Sequence, residues 1–409
     1  SNSNQWRKMT NISLSRGQLA LTVHSTHADW QLEELLGFAE RINPKRAFLF
    51  VSKVLGRHIP VAPALMRRAF TDLAQLIPAN LPEPVLVVGM AETATGLGAG
   101  VHSVLQARYP EAIFVTTTRH LADSPLLGVF LEEHSHAKNQ RIYHAHDPIL
   151  QQRINYAKTL IVVDDEMSTG KTLVNLVHSL QQAGLQQLSH IVSTSLVDWA
   201  TDDWATPLVD KGLHCQAVSL LKGAWQWHEN TMASVPMMPK VDSVGEGNFA
   251  CLSSPTWGRV PCDDTRFMPS VKVWQFIDEL SAEHPKRAPR LLVLGSGEYV
   301  WAPFLLAEQL HKALHARFGV DCVQFSATTR SPIMLGGAIH AKLDFCDNYG
   351  LGIANFLYNV RADDYDKIIL CVETVAESVD KALLQALPNM VVVSAQDYPL
   401  VPVLSDEAL

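Results

Sequence analysis

Between Thr159 and Thr172 the chain reads T-L-I-V-V-D-D-E-M-S-T-G-K-T, and this run restricts the fold more than any other. An apolar stretch ends in two adjacent carboxylates, Asp164 and Asp165. A short loop of hydroxyls and glycine follows, and a helical pattern runs from Leu173 to Gln182. The order is buried strand, loop, helix N-terminus. The backbone N–H groups of such a loop and the positive end of the helix attract an anion. Ser168, Thr169 and Thr172 add hydroxyl donors. Asp164 and Asp165 repel a phosphate, but they accept hydrogen bonds from sugar hydroxyls or hold Mg²⁺. One site for a phosphate and a diol points to a ribose 5-phosphate.

The same G-K-T invites a P-loop NTPase reading. That loop needs G-x-x-x-x-G-K-[ST], and counting back from Gly170 puts Asp165 where the first glycine belongs. A strand that merely ends in acids, without phosphate chemistry, is the plainer alternative. The hydroxyl-rich glycine loop argues against it.

At 409 residues the chain is long enough for two domains with sizeable cores. A formal charge of −8 argues against a protein that coats nucleic acid or an anionic membrane. No apolar run reaches the roughly 18 residues of a membrane span. Residues 1–17 are polar and do not read as a signal peptide, and Met9 reads as a candidate native start. The six cysteines, Cys215, Cys251, Cys262, Cys322, Cys346 and Cys371, form no C-x-x-C pair. Buried free thiols in a reducing cytoplasm are expected, and a structural zinc site is not.

Strands alternate with helices. Trp30 to Arg41 reads as an amphipathic helix. Residues 46–52, 85–89, 112–116, 159–164 and 191–194 read as strands, and Ala91 to Gly100 as a small-residue loop entering a helix. This alternation predicts an α/β fold with a doubly wound, mainly parallel sheet. Ligands of such sheets lie beyond the carboxyl ends of the strands, where Lys53, Gly89 to Glu92, Arg119 and Asp164-Asp165 fall. Prolines and glycines near 235–248 mark a linker between domains at 10–234 and 249–409.

Beyond the linker the pattern starts again. The stretches beginning at Leu291, Cys322, Tyr365 and Trp257 mirror those at Leu86, Ala112, Tyr156 and Leu55, in preserved order and offset by 202 to 211 residues. A degenerate repeat of the first domain is expected. After Glu373 the second copy has Thr-Val-Ala-Glu-Ser-Val-Asp, without glycine, so it cannot build the same anion cradle.

Residues Ile161 to Thr172 resemble, position by position, the motif of type I phosphoribosyltransferases that binds 5-phosphoribosyl 1-pyrophosphate (PRPP). Over its whole length the chain is similar to the orotate phosphoribosyltransferase-like proteins linked to bacterial tellurium-resistance gene clusters. Those carry a C-terminal TRSP domain, here a Rossmann-like unit with the signature Thr329-Arg330-Ser331-Pro332. The Gly-Ser-Gly-Glu-Tyr, Asp-Asn-Tyr-Gly and Cys-Val-Glu-Thr stretches fit too.

The resemblance implies PRPP as co-substrate, Mg²⁺ as cofactor, pyrophosphate as product and an unidentified nucleobase-like acceptor. Ser168, Thr169, Gly170, Lys171 and Thr172 would hold the 5′-phosphate. Asp164 and Asp165 would face the ribose hydroxyls and Mg²⁺, directly or through water. Gly89, Ala91, Glu92 and Thr93 occupy the place of the pyrophosphate loop, although Glu92 departs from its usual basic or glycine character. Lys53, Arg57 and Arg119 are candidate pyrophosphate contacts. Phe130 to Ala137 lies at the family's mobile lid, where Glu132, Glu133, His134 and His136 would act as acid/base groups; His144 and His146 lie nearby. Family members dimerise, which implies a homodimer or an intramolecular pseudo-dimer. In the latter the second copy would supply Asn348, Tyr349 or Arg330 to the first. A non-catalytic PRPP or nucleotide sensor, and an N-ribosidic hydrolase or phosphorylase, remain as alternative readings.

Overall fold

The computed structural model describes residues 8–43, 47–132, 140–234, 237, 249, 251, 258–283, 286–397 and 400–402. The first half contributes strands β1 (Lys8–Leu14), β2 (Gly17–Thr26), β3 (Leu36–Glu40), β4 (Phe48–Ser52), β5 (Val85–Gly89), β6 (Ile113–Thr116), β7 (Leu126–Phe130), β8 (Gln140–Tyr143), β9 (Thr159–Met167), β10 (His190–Asp198) and β11 (His214–Glu229). Its helices are α1 (Leu32–Leu35), α2 (Pro63–Gln75), α3 (Thr95–Leu105), α4 (Pro148–Asn155), α5 (Lys171–Gln182) and α6 (Thr206–Val209). A seven-stranded sheet runs β1-β2-β11-β10-β9-β5-β6, and its five strands from β11 to β6 are parallel.

Continuous apolar sequence explains the central strands. Val85 to Val88 and Leu160 to Val163 are buried on both faces, as a parallel strand covered by helices requires. Each such side chain contributes about 1.5–3 kcal/mol by leaving water. Helix α5 buries Leu173, Val174, Leu176, Val177 and Leu180, one stripe at helical spacing.

The second half contributes β12 (Phe267–Pro269), β13 (Leu291–Gly295), β14 (Val323–Ala327), β15 (Lys342–Cys346), β16 (Ala354–Tyr358), β17 (Lys367–Val372), β18 (Met390–Ser394) and β19 (Leu400–Pro402). Its helices are α7 (Val271–Ala282), α8 (Trp301–Phe318) and α9 (Lys381–Ala386). Its main sheet is parallel, in the order β14-β13-β17-β18. The first sheet contains β6-β5-β9-β10 in that same order. The hairpin β7-β8 precedes β9, and the hairpin β15-β16 precedes β17. The chain is thus mixed α/β, with one large, mainly parallel sheet and a second, parallel one.

The halves clasp each other reciprocally. Val61 bridges Phe325 across the interface, and Cys262 bridges Phe114 in the opposite sense. Helix α2 meets α8 through Arg67, whose guanidinium grips Glu308 with two hydrogen bonds of 2.7 and 2.8 Å. One apolar cluster runs through both halves and includes Phe70, Phe114, Phe304 and Phe325.

Two expectations need correction. Residues 30–41 form only the single turn α1 and then β3, because Leu36 to Glu40 pair antiparallel with β4. Gly37 in that strand lies so close to Ala338 that an added Cβ would come within 2.7 Å of it. The thiols are free, but Cys251 and Cys346 are exposed and Cys215 and Cys322 half-buried. The large sheet is mainly parallel, as expected, with an antiparallel edge in which β1 pairs β2 and β2 pairs the long strand β11. Most of the expected linker at 235–248 lies outside the described residues.

Candidate functional site

At the carboxyl ends of β5 and β9 lies a cavity of about 280 Å³, near the lower end of the roughly 300–1,000 Å³ typical of ligand pockets. The sequence motif forms one wall. Asp164, Asp165, Ser168, Gly170 and Thr172 all line it. Strand β9 continues through both acids to Met167, then turns through Gly170 at φ +85° into α5. That backbone region strongly favours glycine. An added Cβ would lie 3.0 Å from both Met167 and Trp204, so Gly170 is fixed twice over. Helix α5 then begins with first-turn N–H groups that no carbonyl within the helix can accept, and its dipole favours an anion in front of them.

Asp164 is pushed well above the usual carboxylate range by burial and then by the neighbouring Asp165. Thr93 Oγ1 donates to Asp165 Oδ1 at 2.9 Å and joins the loop after β5 to the acid pair. Ala91 N–H donates to Thr117 Oγ1 at 2.8 Å, and the Ala91–Glu92 peptide is cis. Ala91, Glu92 and Thr93 line the cavity together with Arg119 and Glu132. Arg119 is ion-paired to Glu132 at 3.0 Å, and Gln140 holds the other Glu132 oxygen at 2.8 Å.

Other expected residues stand elsewhere. Arg57 is buried behind the wall. It pairs with Glu92 Oε1 at 3.4 Å and donates to the carbonyls of Glu92, Gly297 and Thr328. Lys53 points away from the cavity and donates to the Glu33 carbonyl at 2.8 Å. Gly89 packs beneath the site, where an added Cβ would meet the Ala94 carbonyl at 2.9 Å. Thr169 and Lys171 are exposed at the loop surface and do not line the cavity. Glu133, His134 and His136 lie outside the described residues. The His144 carbonyl accepts from Ser124, and His146 meets the Asp123 carbonyl.

Several other residues of the cavity wall were missed from sequence, whereas Arg330 is among those expected from the second half. Arg41, Asn43, Phe50 and His58 line it. They arrive through β3 and β4, the segment whose first part reads as a helix. His58 is buried, and burial followed by the charges of Arg57 and Arg41 lowers its pKa to about 3, so it is neutral near pH 7. The TRSP signature, Thr329 to Pro332, closes the cavity from the second half. Asn348 and Tyr349 serve their own half instead, donating to Thr374 and Glu373 at 2.7 and 2.5 Å.

In the second half the carboxylates Glu298 and Glu373 are closed over by an arginine. Arg259 pairs with Glu298 at 3.0 Å and with Glu373 at 2.7 Å. The space left there is about 10 Å³, room for a water at most. Among the described residues no cluster of three or more His, Cys, Asp or Glu side chains could hold a metal ion, and no helix is long and apolar enough to cross a membrane.

Comparison with known proteins bears on the same segments. Residues 35–224 match the family model of a phosphoribosyl transferase, and residues 263–387 match that of the TRSP domain that lies C-terminal to it. No curated protein matches the chain. An adenine phosphoribosyltransferase from Rhodothermus marinus is 17% identical over 47% of this chain and 96% of its own, with a TM-score of 0.28. One from Trypanosoma brucei, in complex with AMP, pyrophosphate and ribose-5-phosphate, is 12% identical over 48% of this chain and 82% of its own, with a TM-score of 0.34. An orotate phosphoribosyltransferase from Aeropyrum pernix is 15% identical over 42% of this chain and 78% of its own, with a TM-score of 0.25. The motif, its place in the sheet and the two matched segments make the chain a member of the family that joins a phosphoribosyl transferase domain to a C-terminal TRSP domain.

Proposed function

We propose that the first half transfers the phosphoribosyl group of PRPP to a nucleobase-like acceptor and releases pyrophosphate. The observation that carries this reading is the single cavity where an anion-binding helix N-terminus, the pair Asp164-Asp165 and the Ala91-Glu92-Thr93 loop meet. A ribose 5-phosphate seated in the loop brings its hydroxyls to the two acids.

In the reaction the acceptor nitrogen forms a bond to C1, and the C1–O bond to pyrophosphate breaks. The leaving oxygen keeps the electron pair, and the acceptor's N–H proton passes to solvent or to a nearby base. Arg119 faces the charge that grows on the leaving group, and Thr93 keeps Asp165 turned toward the ribose. Fixing both ends of the donor removes much of the entropic part of the barrier. Donors already aimed at the leaving group lower it further.

Two adjacent carboxylates, of which Asp164 is kept hard to ionise by burial and then by the charge of Asp165, suit a divalent cation that arrives with a polyphosphate. Mg²⁺, when bound, would neutralise pyrophosphate charge there, with Asp164 and Asp165 as its protein-side acceptors.

The second half is, in this reading, a degenerate repeat that forms an intramolecular pseudo-dimer with the first. The shared strand order supports this. So do two matching local bonds, Ala91 N–H to Thr117 Oγ1 and Gly297 N–H to Thr328 Oγ1.

The test is incubation with PRPP, Mg²⁺ and a panel of bases while pyrophosphate is followed. Base-dependent release supports transfer. PRPP binding without turnover on any base supports a sensor, a reading that the Arg57-bound Glu92 in the pyrophosphate loop favours. Ribose 5-phosphate release without a base supports a hydrolase.

A further inference from the structure

The open cavity belongs to neither half alone. Its five first-half acids, Glu92, Glu132, Asp164, Asp165 and Glu166, outnumber its first-half arginines, Arg41 and Arg119. Arg119 is already ion-paired to Glu132. PRPP carries several negative charges, and one cation beside its ribose leaves most of them uncompensated.

The second half approaches at this point. Arg57 NH1 donates to the Thr328 carbonyl at 2.8 Å, and its NH2 donates to the Glu92 carbonyl at 2.9 Å. A single guanidinium therefore holds the loop after β5 and the segment after β14 side by side. Two residues beyond Thr328 stands Arg330, 93% buried and lining the cavity. Ile42 N–H donates to the Pro332 carbonyl at 3.0 Å, so the segment is tied to the first half at its other end as well. Glu298 makes the reverse exchange, reaching from the second half to Thr118 and Arg119 of the first.

We infer that Arg330 of the second half is a ligand-contacting residue of the phosphoribosyl site, positioned to bind the pyrophosphate end of PRPP. The TRSP segment is then a working wall of the first half's site. This rests on the PRPP reading above. In the other direction Thr118 and Arg119 bond Glu298, which Arg259 also holds, and the space beside that pair is only about 10 Å³.

The test is calorimetric titration of the full chain with ribose 5-phosphate, inorganic pyrophosphate and PRPP, the last two with Mg²⁺. Arg330→Ala and Arg330→Gln are compared with the wild type, with melting temperature as the folding control. A lost charge-assisted contact predicts pyrophosphate and PRPP affinities about tenfold to a hundredfold weaker. Ribose 5-phosphate affinity and melting temperature stay near the wild-type values, and Arg330→Lys restores part of the pyrophosphate affinity. Wild-type pyrophosphate affinity in a folded Arg330→Gln protein overturns the inference and leaves the PRPP reading intact. So does equal loss of all three ligands. Failure of the wild type itself to bind PRPP removes the reading and the inference with it.

Discussion

Glu298, at the first turn after β13, accepts a hydrogen bond from the hydroxyl of Thr118 at 2.6 Å, across the boundary between the halves. Its other oxygen accepts the Arg119 N–H at 2.9 Å, and Arg259 donates from the second half. Burial alone would raise this carboxyl. His120, Arg259 and the two hydrogen bonds outweigh it and hold the pKa at about 2. Glu298→Gln removes the charge that Arg259 and these donors face. We expect a loss of about 1–3 kcal/mol, read as a lower denaturation midpoint at unchanged m-value. An unchanged midpoint would show that the junction contributes nothing to stability.

Asp165→Asn separates stability from function. The Asn oxygen can still accept from Thr93, while the repulsion that raises Asp164 disappears. The variant should melt at least as high as the wild type and lose phosphoribosyl transfer by about a hundredfold or more, in line with the trade-off common at strained sites. A fall in both together would point to a purely architectural acid.

Gly170→Ala meets two obstacles at once, a left-handed φ and contacts of 3.0 Å to Met167 and Trp204. The backbone cost alone is about 1–2 kcal/mol. Because Gly170 turns the chain into the N-terminus of α5, the proposed phosphate site, ribose 5-phosphate affinity should drop together with stability. Calorimetry that finds normal affinity in the variant would remove the loop from the phosphate site.

Acid should weaken the fold in the range of histidine titration. Burial lowers His102 and His120 to about 4 and His58 to about 3, all below the ordinary value near 6.5. In each the folded protein resists a proton that the unfolded chain accepts. The stability they confer is therefore complete above pH 6.5 and is lost as the pH falls toward 4. In His102 burial prevails over the hydrogen bond between Nε2 and the Ala112 carbonyl at 2.7 Å, which favours the charged ring, while Nδ1 lies 2.7 Å from Thr265 Oγ1. Melting temperatures measured from pH 8 to pH 4 should fall most steeply below pH 6.5. His102→Gln should flatten that part of the curve.

Truncation after residue 234 should leave an insoluble or molten first half. Phe70 and Phe114 share one apolar cluster with Phe304 and Phe325, and removing the partner exposes them. A soluble fragment with a sharp melting transition would contradict this.

The motif strand, its loop and its helix were legible because buried parallel strands are uniformly apolar and phosphate loops need glycine and hydroxyls. Val85 to Gly89 was legible for the same reason. The hairpin β3-β4 was not. Trp30, Leu32, Leu35 and Leu36 have helical spacing, and only pairing with Phe48 to Ser52 turns the later residues into a strand. That misreading hid Arg41 and Asn43. Lys53 and Arg57 looked alike in sequence, yet tertiary packing sends one to the surface and buries the other against three carbonyls. The place of Thr329 to Pro332 at the cavity depends on a contact between distant halves, which no local pattern encodes, and Arg330 is expected there only through the family resemblance.

A homodimer keeps its composite sites only while its concentration exceeds its dissociation constant. Here Val61–Phe325 and Cys262–Phe114 join segments of a single polypeptide, so the effective concentration of one half for the other does not change with dilution. Activity per molecule should therefore be constant from micromolar to picomolar protein. If the second half is a repeat of the first, as proposed, covalent linkage also lets the halves diverge independently: Arg259 could fill one site without removing the other, a change that in a homodimer would have closed both.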